Sequence, residues 1–278
     1  MSGDSKKLNA MNYFGGKFSF IDEIYFHFPM GFTHLVDLFA GSFVVSINYR
    51  GRCIKTANEI NSEVTNFFQV LRDDTEKLLS LIEMTPCSVK EFENAWKPTD
   101  NKLESARRFY VRVRMSYLGL GCQRKNKGMF LAKEQVNAAY GETVSKWNNS
   151  FETLKEVAKL ISTQFQITNF DYLECMSKFD TKNTFFYCDP PYPKESRSSF
   201  NDYHFEFTDG QHRQLSEKLH SINGYAMISS YECDLMDELY SDWRMVRLSQ
   251  KKNNMRKEEV QECIWMNYDA PQDLFSNI

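Results

Sequence analysis

With 278 residues, 42% of them apolar and 15% aromatic, the chain can bury the core of one large domain, or of a catalytic domain carrying a smaller insertion, and is too hydrophobic for a disordered segment. A formal net charge of −3 gives no overall attraction to a polyanion, so any preference for nucleic acid has to reside in local clusters. Seven cysteines (53, 87, 122, 175, 188, 233 and 263) without a C-x-x-C pair, five histidines without ligand spacing and no run of about 18 apolar residues argue against a disulfide framework, a metal site and a membrane-spanning helix.

The first ten residues are polar and lack the apolar core of a signal peptide, which suits a reducing, cytoplasmic setting. Asn12-Tyr13-Phe14-Gly15-Gly16-Lys17 then places a glycine pair before a cation. That makes a close turn suited to a carboxylate, without the spacing of a phosphate-binding P-loop; a plain surface turn is the alternative. Apolar runs at 33–38 and 53–57 predict buried strands. The first ends in Asp37-Leu38-Phe39-Ala40-Gly41-Ser42, where a glycine lets a ligand approach the backbone before a helix N-terminus. The second ends at Asn58-Glu59, and an acidic residue at the tip of the second strand is where nucleoside-binding α/β folds grip a ribose diol. A solvated loop carboxylate would look the same.

From 71 to 149 the chain reads as helical and charged, an insertion dividing a catalytic domain of 1–70 and 150–278. Beyond it, apolar runs at 165–168, 184–188, 225–229, 244–248 and 263–267 predict strands, and periodic faces at 151–161 and 209–222 predict helices. Strands alternating with helices point to an α/β fold with an open, mostly parallel sheet, whose ligands sit at the carboxyl ends of its strands.

Asp189-Pro190-Pro191-Tyr192 follows the 184–188 strand directly. Two prolines fix the backbone just past a buried strand, so the Asp189 carboxylate and Pro190 carbonyl can grip both hydrogens of an amino group. Tyr192 adds a flat face for a heterocyclic base. A tight strand-end turn accounts for these four residues alone equally well. Two basic clusters supply a polyanion argument: nine basic residues against Glu104 between Lys102 and Lys133, and six against none between Arg244 and Lys257. Tyr110, Tyr117 and Phe130 interleave with the first, either as contacts or as the insertion's core.

Taken in order, these motifs resemble the Dam-like, D12-class (alpha-type) family of DNA adenine-N6 methyltransferases. Asn169-Phe170-Asp171, then Phe200, Tyr203, Phe207 and His212, then Ser229-Ser230-Tyr231 and Arg256, Glu262 and Asn267 extend the likeness over about residues 11 to 268. The resemblance implies a Rossmann-like, S-adenosylmethionine-dependent methyltransferase sheet, with the insertion as a target-recognition subdomain. It implies Tyr13, Gly15, Gly16, Lys17, Asp37 and Gly41 at the methionine end of the cofactor, Phe39 in the wall of its pocket, and Asp189 among the cofactor-binding residues. Glu59 would bind the ribose and Asp171 the cofactor's adenine. Asp189, Pro190, Pro191 and Tyr192 would hold a flipped target adenine for direct transfer, leaving S-adenosylhomocysteine, with no metal. Double-stranded DNA is the implied partner. Arg112, Arg114 and the run Gln123, Arg124, Lys125, Asn126, Lys127, similar to the family's DNA-reading hairpin, are the implied contacts. After Phe130 this chain has Leu131-Ala132-Lys133-Glu134 where members reading GATC have an Asn-x-Pro-like segment, which counts against that target. The alternatives are RNA adenine, cytosine N4 or a glutamine amide as acceptor, and a DNA-binding regulator without catalysis. A bacterial or phage source, and a cognate restriction endonuclease as partner, stay open.

Overall fold

The computed structural model describes residues 6–11, 13, 16–116, 128–133, 142–197, 205–249 and 261–269. Among them α1 (Ile21–Phe26), β1 (His34–Asp37), α2 (Val44–Asn48), β2 (Ile54–Asn58) and α3 (Ser62–Asp73) come first. A helical run follows: α4 (Thr75–Glu83), α5 (Val89–Asn94), α6 (Lys102–Met115), α7 (Glu142–Asn148) and α8 (Ser150–Gln164). The chain then alternates through β3 (Phe165–Thr168), α9 (Tyr172–Phe179), β4 (Thr184–Cys188) and α10 (Asp209–His220). It ends with β5 (Tyr225–Tyr231), α11 (Asp234–Leu239), β6 (Arg244–Arg247) and β7 (Glu262–Met266). Every strand expected from the sequence is present, within two residues at each end.

The described chain forms two compact units. The second, of residues 19–40, 49–60 and 170–278, carries six of the strands, in the order β2-β1-β4-β5-β7-β6. β1 pairs in parallel with β2 and β4, and β4 with β5; β7 runs antiparallel between β5 and β6. This is a Rossmann-like α/β arrangement, the class that alternating strands and helices predict. The central β4 reads Thr-Phe-Phe-Tyr-Cys and is buried at all five positions, as a parallel strand covered on both faces must be. Its side chains alternate between two cores. Phe186 and Cys188 join Val36, Leu38, Leu215, Ile228 and Trp265 on one side. On the other, Phe185 lies edge-on to Phe28 with ring centroids 4.6 Å apart, and Phe32 is 5.2 Å away.

The first unit, of residues 1–18, 41–48 and 61–169, is mainly helical and extends beyond the 71–149 segment to include α2, α3 and α8. Three of its helices, α3, α5 and α6, start at capping side chains: Asn61 accepts from the Glu63 N–H at 3.0 Å, Ser88 from Glu91 at 3.1 Å and Asn101 from Glu104 at 3.0 Å. Aromatic stacking joins them, Phe67 on Tyr110 at 5.5 Å and Phe68 on Phe43 at 3.9 Å. No helix of the described residues is long and apolar enough to cross a membrane.

Candidate active site

Register in the second unit brings the sequence-predicted acids together. Asp37 pairs with Ala57 of β2 and with Tyr187 of β4, so Asp37, Asn58-Glu59 and Asp189 all stand at the carboxyl ends of three adjacent parallel strands. Such an edge is where open α/β sheets bind ligands. Asp37 and Glu59 are only 3% and 7% exposed, and a buried carboxylate is costly unless donors meet it. Asn58 locks the edge. Its Nδ2 donates to the Leu38 and Phe170 carbonyls at 3.2 and 3.0 Å, and its Oδ1 accepts from the Phe170 N–H at 3.0 Å. These two hydrogen bonds to Phe170 bring the neighbouring Asp171 to the same strand ends, where its exposed side chain also caps α9 through the Leu173 N–H at 2.9 Å.

Phe39 lies beside Tyr172 and edge-on to Phe207, with centroids 5.8 and 5.6 Å apart, and Phe207 is edge-on to His212 at 4.8 Å. His212 is 1% exposed, and burial lowers its pKa to about 4. Asp209 opposes this by raising it and Arg197 lowers it further; the Pro191 backbone is a polar neighbour, yet neither ring nitrogen meets hydrogen-bond geometry among the described residues. The folded pKa lies below the unfolded one, so the unfolded chain binds the extra proton between about pH 6.5 and 4, and stability falls as pH falls through that window. At most about 3 kcal/mol of stability, present above pH 6.5, is lost this way. Chemical denaturation of the parent and of His212→Phe, near neutral pH and at about pH 5, should show a shallower decline in the variant; equal declines would contradict it.

Two prolines after Asp189 leave no backbone N–H there, and a residue before proline is extended, so the chain leaves β4 without turning. Asp189 is half-buried and its Oδ1 accepts from Ser229 Oγ of β5 at 3.0 Å. The Tyr187 hydroxyl is 3.3 Å from the same Ser229 Oγ. Pro190 is buried and Pro191 half-buried. Tyr192 is buried, its hydroxyl bonded to Glu262 Oε1 of β7 and its ring edge-on to Tyr231 at 4.7 Å. Thus Tyr192 is a fixed wall rather than an open platform. Burial raises the Cys188 thiol well above its ordinary value, so the cysteine next to Asp189 is no thiolate nucleophile. Sequence reasoning placed Ser229 and Glu262 in the family pattern without a role. Only pairing across the sheet supplies one.

In the first unit Asn48 of α2 grips the Leu8 backbone twice, Oδ1 accepting from its N–H and Nδ2 donating to its carbonyl, both at 2.7 Å. The segment so anchored leads to Tyr13, whose carbonyl accepts from the Gly16 N–H at 3.1 Å. Lys17 is buried at 4% exposure, and Gly15 lies outside the described residues. Gly41 has φ +51°, and a Cβ there would stand 2.9 Å from Cδ1 of the Tyr13 ring. The turn and the aromatic contact therefore both require glycine. Phe43, two residues on, also has a positive φ of 59°, a strained value for a bulky residue that its stacking on Phe68 offsets.

The expected nucleic-acid contacts divide unevenly. Arg112 is buried: it donates to the Ala95 carbonyl at 2.9 Å, pairs with Glu63 and lies over the Trp96 ring at 5.3 Å. Arg107 is held by Glu104, Glu91 and Thr85, and Arg108 by Glu104 and the Lys97 carbonyl. These three guanidiniums knit helices together, so the basic count overstates what phosphate could reach. Arg114 is half-buried and donates to the Lys146 carbonyl at 2.7 Å. Gln123, Arg124, Lys125, Asn126 and Lys127 lie outside the described residues. At the borders of that segment Ser116 bridges Met129 in antiparallel fashion, and the Phe130 N–H donates to the Met115 carbonyl at 2.8 Å. Phe200, Tyr203 and Arg256 also lie outside, and no cluster of metal-ligand residues occurs among the described ones.

Residues 13–256 match the family described as D12 class N6 adenine-specific DNA methyltransferase. Type II methyltransferase M1.LlaDCHI of Lactococcus lactis subsp. cremoris is 23% identical over 273 residues, covering 91% of this chain and 93% of its own. DNA adenine methylase of Escherichia coli (strain K12) is 24% identical over 270 residues, with the same two coverages. Type II methyltransferase M.FokI of Planomicrobium okeanokoites is 25% identical over 289 residues, covering 94% of this chain but 43% of its own. With that family match spanning most of its length, and with its acids gathered at the strand ends, the chain belongs to the D12 class of N6 adenine-specific DNA methyltransferases.

Proposed function

We propose that this chain takes its methyl group from S-adenosylmethionine and delivers it to an adenine swung out of double-stranded DNA, with Asp189 as the residue on which transfer depends. The single observation carrying this reading is the gathering of Asp37, Glu59 and Asp189 at adjacent strand ends, with Asp189 fixed by Ser229. The residues fit such a cofactor. Two buried carboxylates offer acceptors for a ribose diol and an ammonium, and the Gly41 backbone against the Tyr13 ring leaves no room for a Cβ. Glu59 would take the ribose, Asp171 the adenine amino group, Phe39 the pocket wall, and Tyr13, Gly15, Gly16, Lys17, Asp37 and Gly41 the methionine end. When bound, the cofactor supplies a methyl group already activated on a sulfonium, so the protein needs neither metal nor covalent intermediate.

The harder partner is the nucleophile, because the N6 lone pair of adenine is delocalised into the ring. The Asp189 carboxylate and Pro190 carbonyl would accept the two N6 hydrogens, turning the lone pair outward. The negative charge of Asp189 would then stabilise positive charge gathering on N6. Positioning against Tyr192 supplies the rest, and contacts in the pocket offset the few kcal/mol of unstacking. Residues 123–127 would read the target in the major groove with Arg114 as a further contact, while Arg112 pairs with Glu63 between α6 and α3. Two relatives are named Type II methyltransferase, and a cognate restriction endonuclease would be the further partner on that pattern. The base-flipping step is tested with 2-aminopurine at the target position of a duplex carrying the methylated motif. Binding should raise its fluorescence several-fold; an unchanged signal from that duplex when bound, under conditions in which the matching adenine duplex is methylated, would contradict flipping.

A further inference from the structure

We propose that Glu262 is a positioning residue for methyl transfer, setting the orientation of Tyr192 from the first position of β7. This rests on the reading that Asp189, Pro190, Pro191 and Tyr192 hold the target adenine.

Tyr192 and Glu262 are 70 residues apart, 4% and 8% exposed, and joined by a hydrogen bond from the phenol hydroxyl to Oε1. A buried carboxylate is expensive, and a fold that needed only volume at this place would use an apolar side chain. The neighbour on β5 completes the arrangement. Tyr231 is the register partner of Glu262, and its ring meets Tyr192 at an interplanar angle of 80° and a centroid distance of 4.7 Å. One strand thus ties the phenol end and the next ties the ring. A tyrosine has two rotatable side-chain bonds, and these two contacts leave one orientation. The frame itself is stiff: β7 is buried at all five positions and paired on both edges, to β5 and β6.

The other end of the tetrapeptide is held in the same way, with Ser229 of β5 bonded to Asp189 Oδ1 at 3.0 Å. Both the group that grips the amino nitrogen and the group that walls the base are therefore set by the antiparallel end of the sheet. Burial keeps the Tyr192 phenol protonated, so it remains a donor to the carboxylate. Misplacing a base by about 1 Å costs on the order of a hundredfold in rate, which is the scale such a clamp can control.

The test uses the full chain, a duplex with the methylated motif, and four variants: Tyr192→Phe, Glu262→Gln, Glu262→Leu, and the double change Tyr192→Phe with Glu262→Leu. Tyr192→Phe, which removes the donor, and Glu262→Leu, which removes the acceptor, should each lower kcat/KM for DNA by roughly ten- to a hundredfold, with S-adenosylmethionine affinity unchanged. Glu262→Gln keeps an acceptor at the Oε1 position and should stay within about threefold of the parent. The double variant should be no worse than the poorer single one, and 2-aminopurine at the target should report an altered environment in each impaired variant. Independent, multiplying losses would overturn the proposal, because a structural glutamate and a stacking tyrosine would then act separately. Should Glu262→Leu fail to fold, the Tyr192→Phe rate decides: a tenfold loss with an unchanged melting temperature supports it, and parental activity overturns it. Asp189→Ala separates the two levels, since its retaining activity would sink the base-holding reading itself, whereas its inactivity beside a normal Tyr192→Phe would sink only the role of Glu262.

Discussion

Asp189→Ala is expected to lower kcat by roughly 100- to 1,000-fold, with a far smaller loss, about tenfold at most, in affinity for S-adenosylmethionine. The split follows from what Asp189 does. Its charge matters most when positive charge has gathered on the adenine nitrogen, so its removal raises the transition state more than the bound ground state. The carboxylate is held ready by Ser229 Oγ at 3.0 Å, so little reorganisation is needed at the moment of reaction. The same change leaves Ser229 with Tyr187 and the Cys188 carbonyl, a loss of about 1 kcal/mol in stability that the fold should withstand. Asp189→Asn keeps the shape but loses the charge, and should fall between the two. Single-turnover rates beside calorimetric cofactor titrations measure this; a variant that methylates within tenfold of the parent would show that another group carries the chemistry.

Gly41→Ala should weaken S-adenosylmethionine binding by at least about tenfold, some 1.4 kcal/mol, in a protein that still folds. Two effects act in the same direction. A φ of +51° costs a side-chain-bearing residue about 1–2 kcal/mol, and the new Cβ would stand 2.9 Å from the Tyr13 ring. Tyr13 has to move, and with it the turn that ends in Lys17. Gly41→Val should be worse, because branching at Cβ widens the clash. The cofactor dissociation constant together with the melting temperature decides the matter. Parental affinity in both variants would mean that the Tyr13 contact lies outside the cofactor's environment.

The strands and their acidic tips were legible because a parallel strand covered on both faces must be a continuous apolar run, as Phe185, Phe186 and Tyr187 are. A carboxylate directly after such a run has one natural place, the carboxyl edge, and Asp37, Glu59 and Asp189 all stand there. What stayed hidden depends on partners distant in the chain. Ser229 lies 40 residues from Asp189 and Glu262 lies 70 from Tyr192, so no local pattern links them. The arginines of α6 misled for the same reason. Glu63 is 49 residues from Arg112 and Glu91 is 16 from Arg107, and a window that counts charge over 102–133 sees neither acid. Tyr192 reads as an exposed stacking face from its position after two prolines, and only the pairing of β5 with β7 turns it into a wall.

The most direct test of the account is to incubate the protein with methyl-labelled S-adenosylmethionine and unmethylated genomic DNA, digest to nucleosides and identify the labelled species, sequencing a parallel sample for methylated positions. The account predicts label in N6-methyldeoxyadenosine, confined to one short motif. Label in N4-methylcytosine, or none in DNA from protein that binds the cofactor, would contradict it.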